Sequence, residues 1–337
     1  MSNSINSHLL APQYFKGLRE NGYDVYGTFF TDIVGAFLNK SIINRFIFKV
    51  FPKYIYNKCN VQLIKDCEEI KPDVLCIFKG MEIYPSTLKE IKNKGIKLAN
   101  YNLDHPFNYV GKGSGNKNVL DSIELYDLHI SYSQYIIKEL SQKFSKIKTA
   151  YLPFGHHDYV DKLKFEDREE DAVCFIGYGD KERAKKIKII LKEGFIVHLY
   201  GPKWDKYLNK KEHHNLRIFD GVFGMDYWRT IKLYRIQLNI LREHNVNSHN
   251  MRTFEIPAVG GIMLSEYTDE QESFFKNGKE AFYYKSEKEL IYIISKLLNM
   301  SQTESKEIRI NARNRSIQSR YSYINRSQEF YKILNKV

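Results

Sequence analysis

Short apolar runs alternate with helix-forming stretches along almost the whole chain, and no other feature constrains the fold as much. DVLCIFKG (73–80) has the length and apolar density of a buried strand, and STLKEIKNKG (86–95) reads as a helix closed by Gly95. IKLANYNLD (96–104), LHISYS (128–133) and KTAYLPFG (148–155) read as further strands. Strand, helix, strand at this spacing means β-α-β units and a mostly parallel sheet. Upstream, residues 8–21 form a helical pattern ending at Gly22, and YDVYGTFF (23–30) has the pattern of a strand. The opening strand usual in such a domain is missing before residue 8.

A charged run, KFEDREED (164–171), interrupts the alternation and reads as a linker. The pattern then restarts with AVCFIGYGD (172–180), a Lys-rich helix over 181–193, FIVHLYG (195–201), NLRIFDG (215–221), a helix near 226–235 and IQLNILR (236–242). A helix around 250–259, GGIMLSE (260–266), a helix near 269–277 and AFYYKS (281–286) follow. Ser286 and Glu289 form a capping box for a helix to about Met300, and 303–337 is helical and basic. These patterns predict an α/β protein with one domain over 1–165 and a second over 166–315. A C-terminal helix, 316–337, is expected to pack back on the first domain. Two such halves would face each other across a cleft, with ligands at the carboxyl ends of the strands.

At 337 residues the chain is long enough for two domains. Its net charge of +12 attracts phosphorylated ligands, nucleic acid or anionic membrane, and charge alone does not choose among them. The four cysteines include no C-x-x-C pair, so neither a zinc ribbon nor a disulfide framework is indicated. A reducing cytoplasm is the expected compartment. MSNSINSHLL lacks the charged start and apolar core of a signal peptide, and no run of about 18 apolar residues predicts a spanning helix.

The segment richest in chemistry is HNMRTFEIPAVGGIMLSE (249–266). Asn247, Ser248 and Asn250 are good N-cap residues ahead of a short helix. A helix N-terminus offers free N–H groups to a phosphate, and Arg252 adds a forked positive charge. Glu255, three residues on, projects from the same face and can accept hydrogen bonds from both hydroxyls of a ribose. Pro257 ends or bends the helix, and Gly260-Gly261 turns the chain into the next strand. Taken alone, an Arg–Glu pair of this spacing is as readily an ordinary surface ion pair.

Leu238-Asn239-Ile240-Leu241-Arg242 followed by Arg252-Thr253-Phe254-Glu255-Ile256-Pro257-Ala258-Val259-Gly260-Gly261 resembles the spore-maturation (CgeB-like) glycosyltransferases, over roughly residues 172–300. The resemblance implies a GT-B fold of two Rossmann-like domains, with the C-terminal one binding a nucleoside diphosphate sugar. It implies that Glu255 holds the ribose and that the basic group before it, with His249 beside it, meets the diphosphate. It also places the turn Gly177-Tyr178-Gly179, with Arg183 behind it, against the nucleotide sugar, although the bare pattern is a common strand-to-helix turn. Tyr200, Gly201 and Val222, at strand ends, are implied to border the nucleobase; Tyr200 or Trp204 could stack on it, or could serve core and turn packing, the more ordinary reading for Trp204. The phage DNA β-glucosyltransferase has a weaker R-x-x-E similarity.

Asp104 ends a strand and precedes His105-Pro106, so it is a candidate general base for an acceptor hydroxyl, or simply a turn residue. The Gly/Lys-rich loop 111–117 after it is expected to close over substrate. No D-x-D triplet and no ligand set around the paired histidines indicate a metal, so metal-free transfer without a cofactor is expected. Residues 40–58 carry Lys40, Arg45, Lys49, Lys53 and Lys58, no acid, and large apolar residues between. Such a stretch suits an anionic membrane surface, a nucleic-acid backbone, or a solvated helix face equally. The expected function is transfer from a UDP-linked sugar to a hydroxyl of a surface glycan, lipid-linked or protein acceptor, as in polysaccharide biosynthesis. Peripheral contact at the inner membrane face would fit a lipid-linked acceptor. A phage-type DNA-base transferase and a non-catalytic nucleotide-binding protein are the alternatives.

Overall fold

The computed structural model describes residues 10–107, 114–158, 160, 163–164, 169–209, 211–242 and 247–337. The chain divides into two compact units, one of residues up to Pro153 plus Tyr323–Val337, the other of Phe154–Ser322.

The first unit begins with helices α1 (Leu10–Glu20), α2 (Phe30–Leu38), α3 (Ile42–Val50) and α4 (Lys53–Ile70). β1 (Val74–Phe78), α5 (Pro85–Asn93), β2 (Lys97–Asn102), α6 (Lys117–Asp121), β3 (Leu128–Ser131), α7 (Gln134–Lys143) and β4 (Lys148–Tyr151) follow. The four strands pair in the order β1-β2-β3-β4, all parallel. Leu63, Ile83, Leu88, Ile91 and Leu98 fill the layer between this sheet and the helices.

Residues 23–29, with the pattern of a strand, form none. Among the described residues β1 pairs with β2 alone and stays the edge of the sheet. The side chains of 23–29 are satisfied otherwise: Phe29 meets Phe15 edge-on with centroids at 5.4 Å, and the Thr28 hydroxyl donates to Asp66. Tyr23 stacks on Tyr331 of the C-terminal helix at 3.7 Å. Residues 111–113 of the loop expected to close over substrate lie outside the described residues.

The second unit contains β5 (Glu170–Ile176), α8 (Lys181–Lys192), β6 (Val197–Tyr200), β7 (Leu216–Phe219), α9 (Gly224–Leu233) and β8 (Tyr234–Asn239). It continues with α10 (Arg252–Ala258), β9 (Met263–Glu266), α11 (Asp269–Phe274), β10 (Phe282–Tyr284), α12 (Glu287–Leu298) and α13 (Gln302–Gln318). Six parallel strands run in the order β10-β9-β8-β5-β6-β7, and β8 is buried along its whole length, as expected of a central strand. The chain then re-enters the first unit as α14 (Tyr323–Leu334), where Phe330 packs on Tyr14 of α1 at 5.0 Å.

The charged run read as a linker lies inside the second unit. Residues 165–168 are outside the described residues, but the Glu169 side chain is 6% exposed and bonded to three partners. It accepts from Arg235 at 2.8 Å and from the Ser305 hydroxyl at 2.6 Å, and pairs with Arg309. A carboxylate so buried needs such partners. They come from β8 and α13, far along the chain, which a local charge count does not reveal.

Candidate nucleotide-sugar site

The site lies wholly within the second unit and starts from three glycines. Gly177 closes β5 and donates its N–H to Tyr200 O at 2.8 Å, while Gly179 donates to Pro202 O at 3.0 Å. A Cβ on Gly179 would lie 2.8 Å from the Trp204 backbone nitrogen. A Cβ on Gly201 would lie 2.4 Å from Gly177 O, with φ at +136°. The two turns therefore interlock only as glycine. Trp204 is fully buried and donates from Nε1 to Gly177 O at 3.0 Å. It is a strut beneath the turn, so of its two readings burial selects core packing over stacking on a base.

Two guanidinium groups converge over this turn. Arg183, on the first turn of α8, and Arg252, the first residue of α10, both lie over the Phe175 ring, at 5.2 and 5.8 Å. Arg252 Nη2 sits 3.3 Å from where a Gly177 Cβ would be, so the glycine makes room for the charge. Arg183 donates to Tyr178 O at 3.0 Å and has Asp180 at 3.4 Å. Among the described residues no ion pair reaches Arg252, and the buried Nε atoms of both arginines lack a partner. Burial first, then the Arg252 charge, pushes Arg183 down to about 10. It still carries its charge at neutral pH, in a setting that favours an added anion.

Both helix N-termini carry a side-chain cap. Asp180 caps α8 by accepting from Arg183 N at 2.9 Å. α10 has seven residues, and Asn250 caps it by accepting from Thr253 N at 3.2 Å. Asn250 Nδ2 donates to Asn239 Oδ1 at 2.7 Å, and Ser265 Oγ donates to Asn239 O at 3.0 Å. Asn239, fully buried at the end of β8, thus ties the cap of α10 to the sheet and sets the direction of Arg252 and Glu255. Gly260, at φ +76°, ends α10 in the left-handed turn that only glycine adopts easily.

Glu255 accepts from the Tyr227 hydroxyl at 2.7 Å. Burial, then the Glu255 charge, raises the Tyr227 hydroxyl well above its ordinary value, while Arg252 acts in the opposite sense. Tyr227, Glu255 and Arg252 therefore form one electrostatic group, and Tyr227 carries no signal in the sequence beyond its place in RIFDGVFGMDYW. Tyr178 is 54% exposed with Lys203 Nζ 5.0 Å from its ring centroid.

Tyr200 stacks on Phe219 at 4.7 Å and its hydroxyl bonds Tyr234 at 2.7 Å, so one ring face is already taken. Val222 lies in the partly exposed turn before α9, beside Phe223, which is 75% exposed. Asn247 is exposed at φ +46°, whereas Ser248 and His249 are fully buried and turned to Glu270, at 3.1 and 2.7 Å. Their side chains hold the loop before α10. Asp104, in the first unit, sits just past β2, and Lys79 Nζ contacts its Oδ2 at 2.6 Å. Lys79 follows β1, the neighbouring strand, so the two strand ends bring the pair together. Among the described residues no group of three or more His, Cys, Asp or Glu side chains could hold a metal ion.

Residues 183–332 match the family model described as glycosyl transferase-like. The fold is that of the GT-B glycosyltransferases. HepE from Anabaena, solved with UDP-glucose, superposes with a TM-score of 0.61 at 12% identity, covering 83% of this chain and 82% of that one. Sucrose-phosphate synthase from Thermosynechococcus elongatus gives 0.60 at 10% identity, covering 84% and 78%. A mutant TarM from S. aureus, with fondaparinux, α-GlcNAc-glycerol and UDP, gives 0.58 at 12% identity, covering 82% and 59%. No curated protein matches in sequence. The matched stretch starts at Arg183, takes in Arg252 and Glu255, and runs on into the C-terminal helix. Among the described residues no helix is long and apolar enough to cross a membrane.

Proposed function

We propose that the chain transfers a sugar from a UDP-linked donor to an acceptor hydroxyl on a glycan, and that it belongs to the CgeB-like subgroup. The observation that carries the reading is the pair Arg183 and Arg252, both over the buried Phe175 ring beside a glycine turn, with Asp180 3.4 Å from Arg183 and no ion pair to Arg252 among the described residues. Two like charges in a partly buried site repel unless an anion joins them, and a diphosphate supplies two. Glu255, already hydrogen-bonded by Tyr227, has the acceptor oxygens that ribose hydroxyls need. HepE and TarM, solved with UDP-glucose and with UDP, support UDP as the nucleotide.

In this scheme the acceptor oxygen attacks the anomeric carbon while Asp104 takes its proton. The bond to the diphosphate breaks, and the leaving oxygen takes up negative charge against Arg183 and Arg252. The arginines fill the charge-stabilising place a cation would hold, so transfer needs no metal. A single displacement with an aspartate base inverts the anomeric centre. Lys79 compensates the Asp104 carboxylate until acceptor arrives.

The test measures donor binding and transfer separately. Asp104→Asn should lower transfer from UDP-sugar by roughly 100-fold or more and leave UDP affinity unchanged. Transfer at the wild-type rate by that variant would refute the assignment of the base. Transfer abolished by EDTA and restored by a divalent cation would refute the metal-free scheme.

A further inference from the structure

Helix α3 is an anomaly of the first unit that sugar transfer does not use. Six of its nine residues, Ile42, Ile43, Phe46, Ile47, Phe48 and Val50, are large and apolar, yet none of the nine is buried. Ile42 is 83% exposed, Ile43 69%, Phe46 63% and the following Phe51 64%. A short helix normally persists because one face is buried, and a contiguous exposed apolar face marks an interaction surface.

The apolar residues form a stripe. At 100° per residue, Ile42, Phe46, Val50 and Ile43 fall within about a quarter-turn of one another. Arg45 and Lys49 lie along one edge of that stripe, and Lys40 and Lys53 stand at the two ends of the helix. From Ile33 to Lys65 the chain contains no Asp or Glu. The opposite side anchors the helix to its neighbours: Asn44 Nδ2 donates to Phe37 O at 2.8 Å, and Phe48 meets the Tyr56 ring at 6.3 Å. The stripe is thus presented outward by a held helix.

We propose that α3 docks the protein on an anionic lipid bilayer, its stripe sunk among the acyl chains near the headgroups and its cations on the lipid phosphates. Both halves of that chemistry are needed. A nucleic-acid backbone would satisfy Arg45 and Lys49 but leave Ile42, Ile43 and Phe46 in water. A second copy of the chain would set cations against cations across a two-fold axis. An in-plane amphipathic helix on acidic lipid buries the apolar side chains and pairs every charge. The inference does not depend on the donor site and holds whatever reaction the chain performs.

The full chain is tested by co-sedimentation with vesicles of phosphatidylcholine alone and of phosphatidylcholine with phosphatidylglycerol. The expected result is binding to the mixed vesicles that weakens as salt rises. Arg45→Gln with Lys49→Gln should weaken it about fivefold per charge removed. Ile43→Ser with Phe46→Ser should weaken it at least tenfold. These four residues are unburied, so far-ultraviolet circular dichroism and UDP binding should not change in either variant. No binding to the mixed vesicles overturns the proposal. So does vesicle binding that survives Ile43→Ser with Phe46→Ser, which would reduce it to charge alone. Self-association that disappears in that double variant, or binding to duplex DNA in preference to vesicles, overturns it in favour of the corresponding partner.

Discussion

Replacing Arg252 by Met separates a residue that serves a ligand from one that serves the fold. Methionine keeps most of the apolar stem over Phe175 and removes only the charge and the donors, whose Nε has no partner in the folded chain. The ligand-free protein loses the guanidinium over Phe175 and its attraction to the Tyr227–Glu255 pair, and in exchange the repulsion that helps push Arg183 down to about 10 is relieved. The apo melting temperature should stay level or rise. Binding of UDP should fall, because one charge-assisted contact to phosphate is lost, worth about 1.5–3 kcal/mol, or roughly 10- to 150-fold in Kd. At a UDP concentration of 100 times the wild-type Kd, ligand stabilises the wild type by about 2.7 kcal/mol. A variant 30-fold weaker retains roughly 0.9 kcal/mol of it, so the UDP-induced shift shrinks about threefold. Isothermal titration calorimetry gives Kd, and a thermal melt with and without UDP gives both stabilities. Arg252→Lys, which keeps charge but not the fork, should fall between. A change in Kd below threefold, or an apo melting temperature several degrees lower, would refute the reasoning and make Arg252 a structural residue.

His129, buried and bonded through Nε2 to Ile123 O at 2.7 Å, has its pKa lowered to about 4 by burial, from an ordinary value of 6.5. The unfolded chain therefore takes up the proton first. Stability from this group is full above about pH 6.5 and is lost as pH falls towards 4, by about 3 kcal/mol, and His129→Gln should flatten the acid limb of a urea-midpoint against pH plot. Gly201→Ala would place a methyl 2.4 Å from a backbone oxygen at φ +136°, costing about 2–4 kcal/mol and weakening UDP binding with it; a melt unchanged from wild type would contradict the interlocked turns.

The sequence showed the layered α/β organisation because period and length are local properties. Nearly every apolar run read as a strand, from DVLCIF to AFYY, is a strand, and the Gly95 and Ser286 signals bound real helices. It failed where the outcome depends on a distant partner. The 23–29 segment has strand composition, but its side chains are taken up by Phe15, Asp66 and Tyr331 from helices. Glu169 looks like part of a solvated charge run until Arg235 and Arg309 arrive from 66 and 140 residues away. In the site, Asn239 and Arg252 were visible as parts of one motif, but the hydrogen bond from Asn250 that links them was not. Trp204, Ser248 and His249 drew notice for their side-chain chemistry, and burial spends that chemistry inside the fold.

The second unit shows how this chain treats a buried arginine that only supports structure. Arg235 and Arg309, 6% and 2% exposed, share the carboxylate of Glu169, and Arg309 also donates to Gly260 O at 2.6 Å. Both are neutralised and held by directed bonds, as the cost of burying charge demands. Arg183 is 7% exposed, with one carboxylate at 3.4 Å that also caps its own helix, and Arg252 lies beside it with no ion pair among the described residues. A fold able to place Glu169 between two arginines could have placed a carboxylate between these as well. A fixed carboxylate there would compete with a diphosphate for the same guanidinium faces. The uneven neutralisation of these four arginines is what the proposed diphosphate would account for, and at Gly177 a Cβ would lie 3.3 Å from Arg252 Nη2.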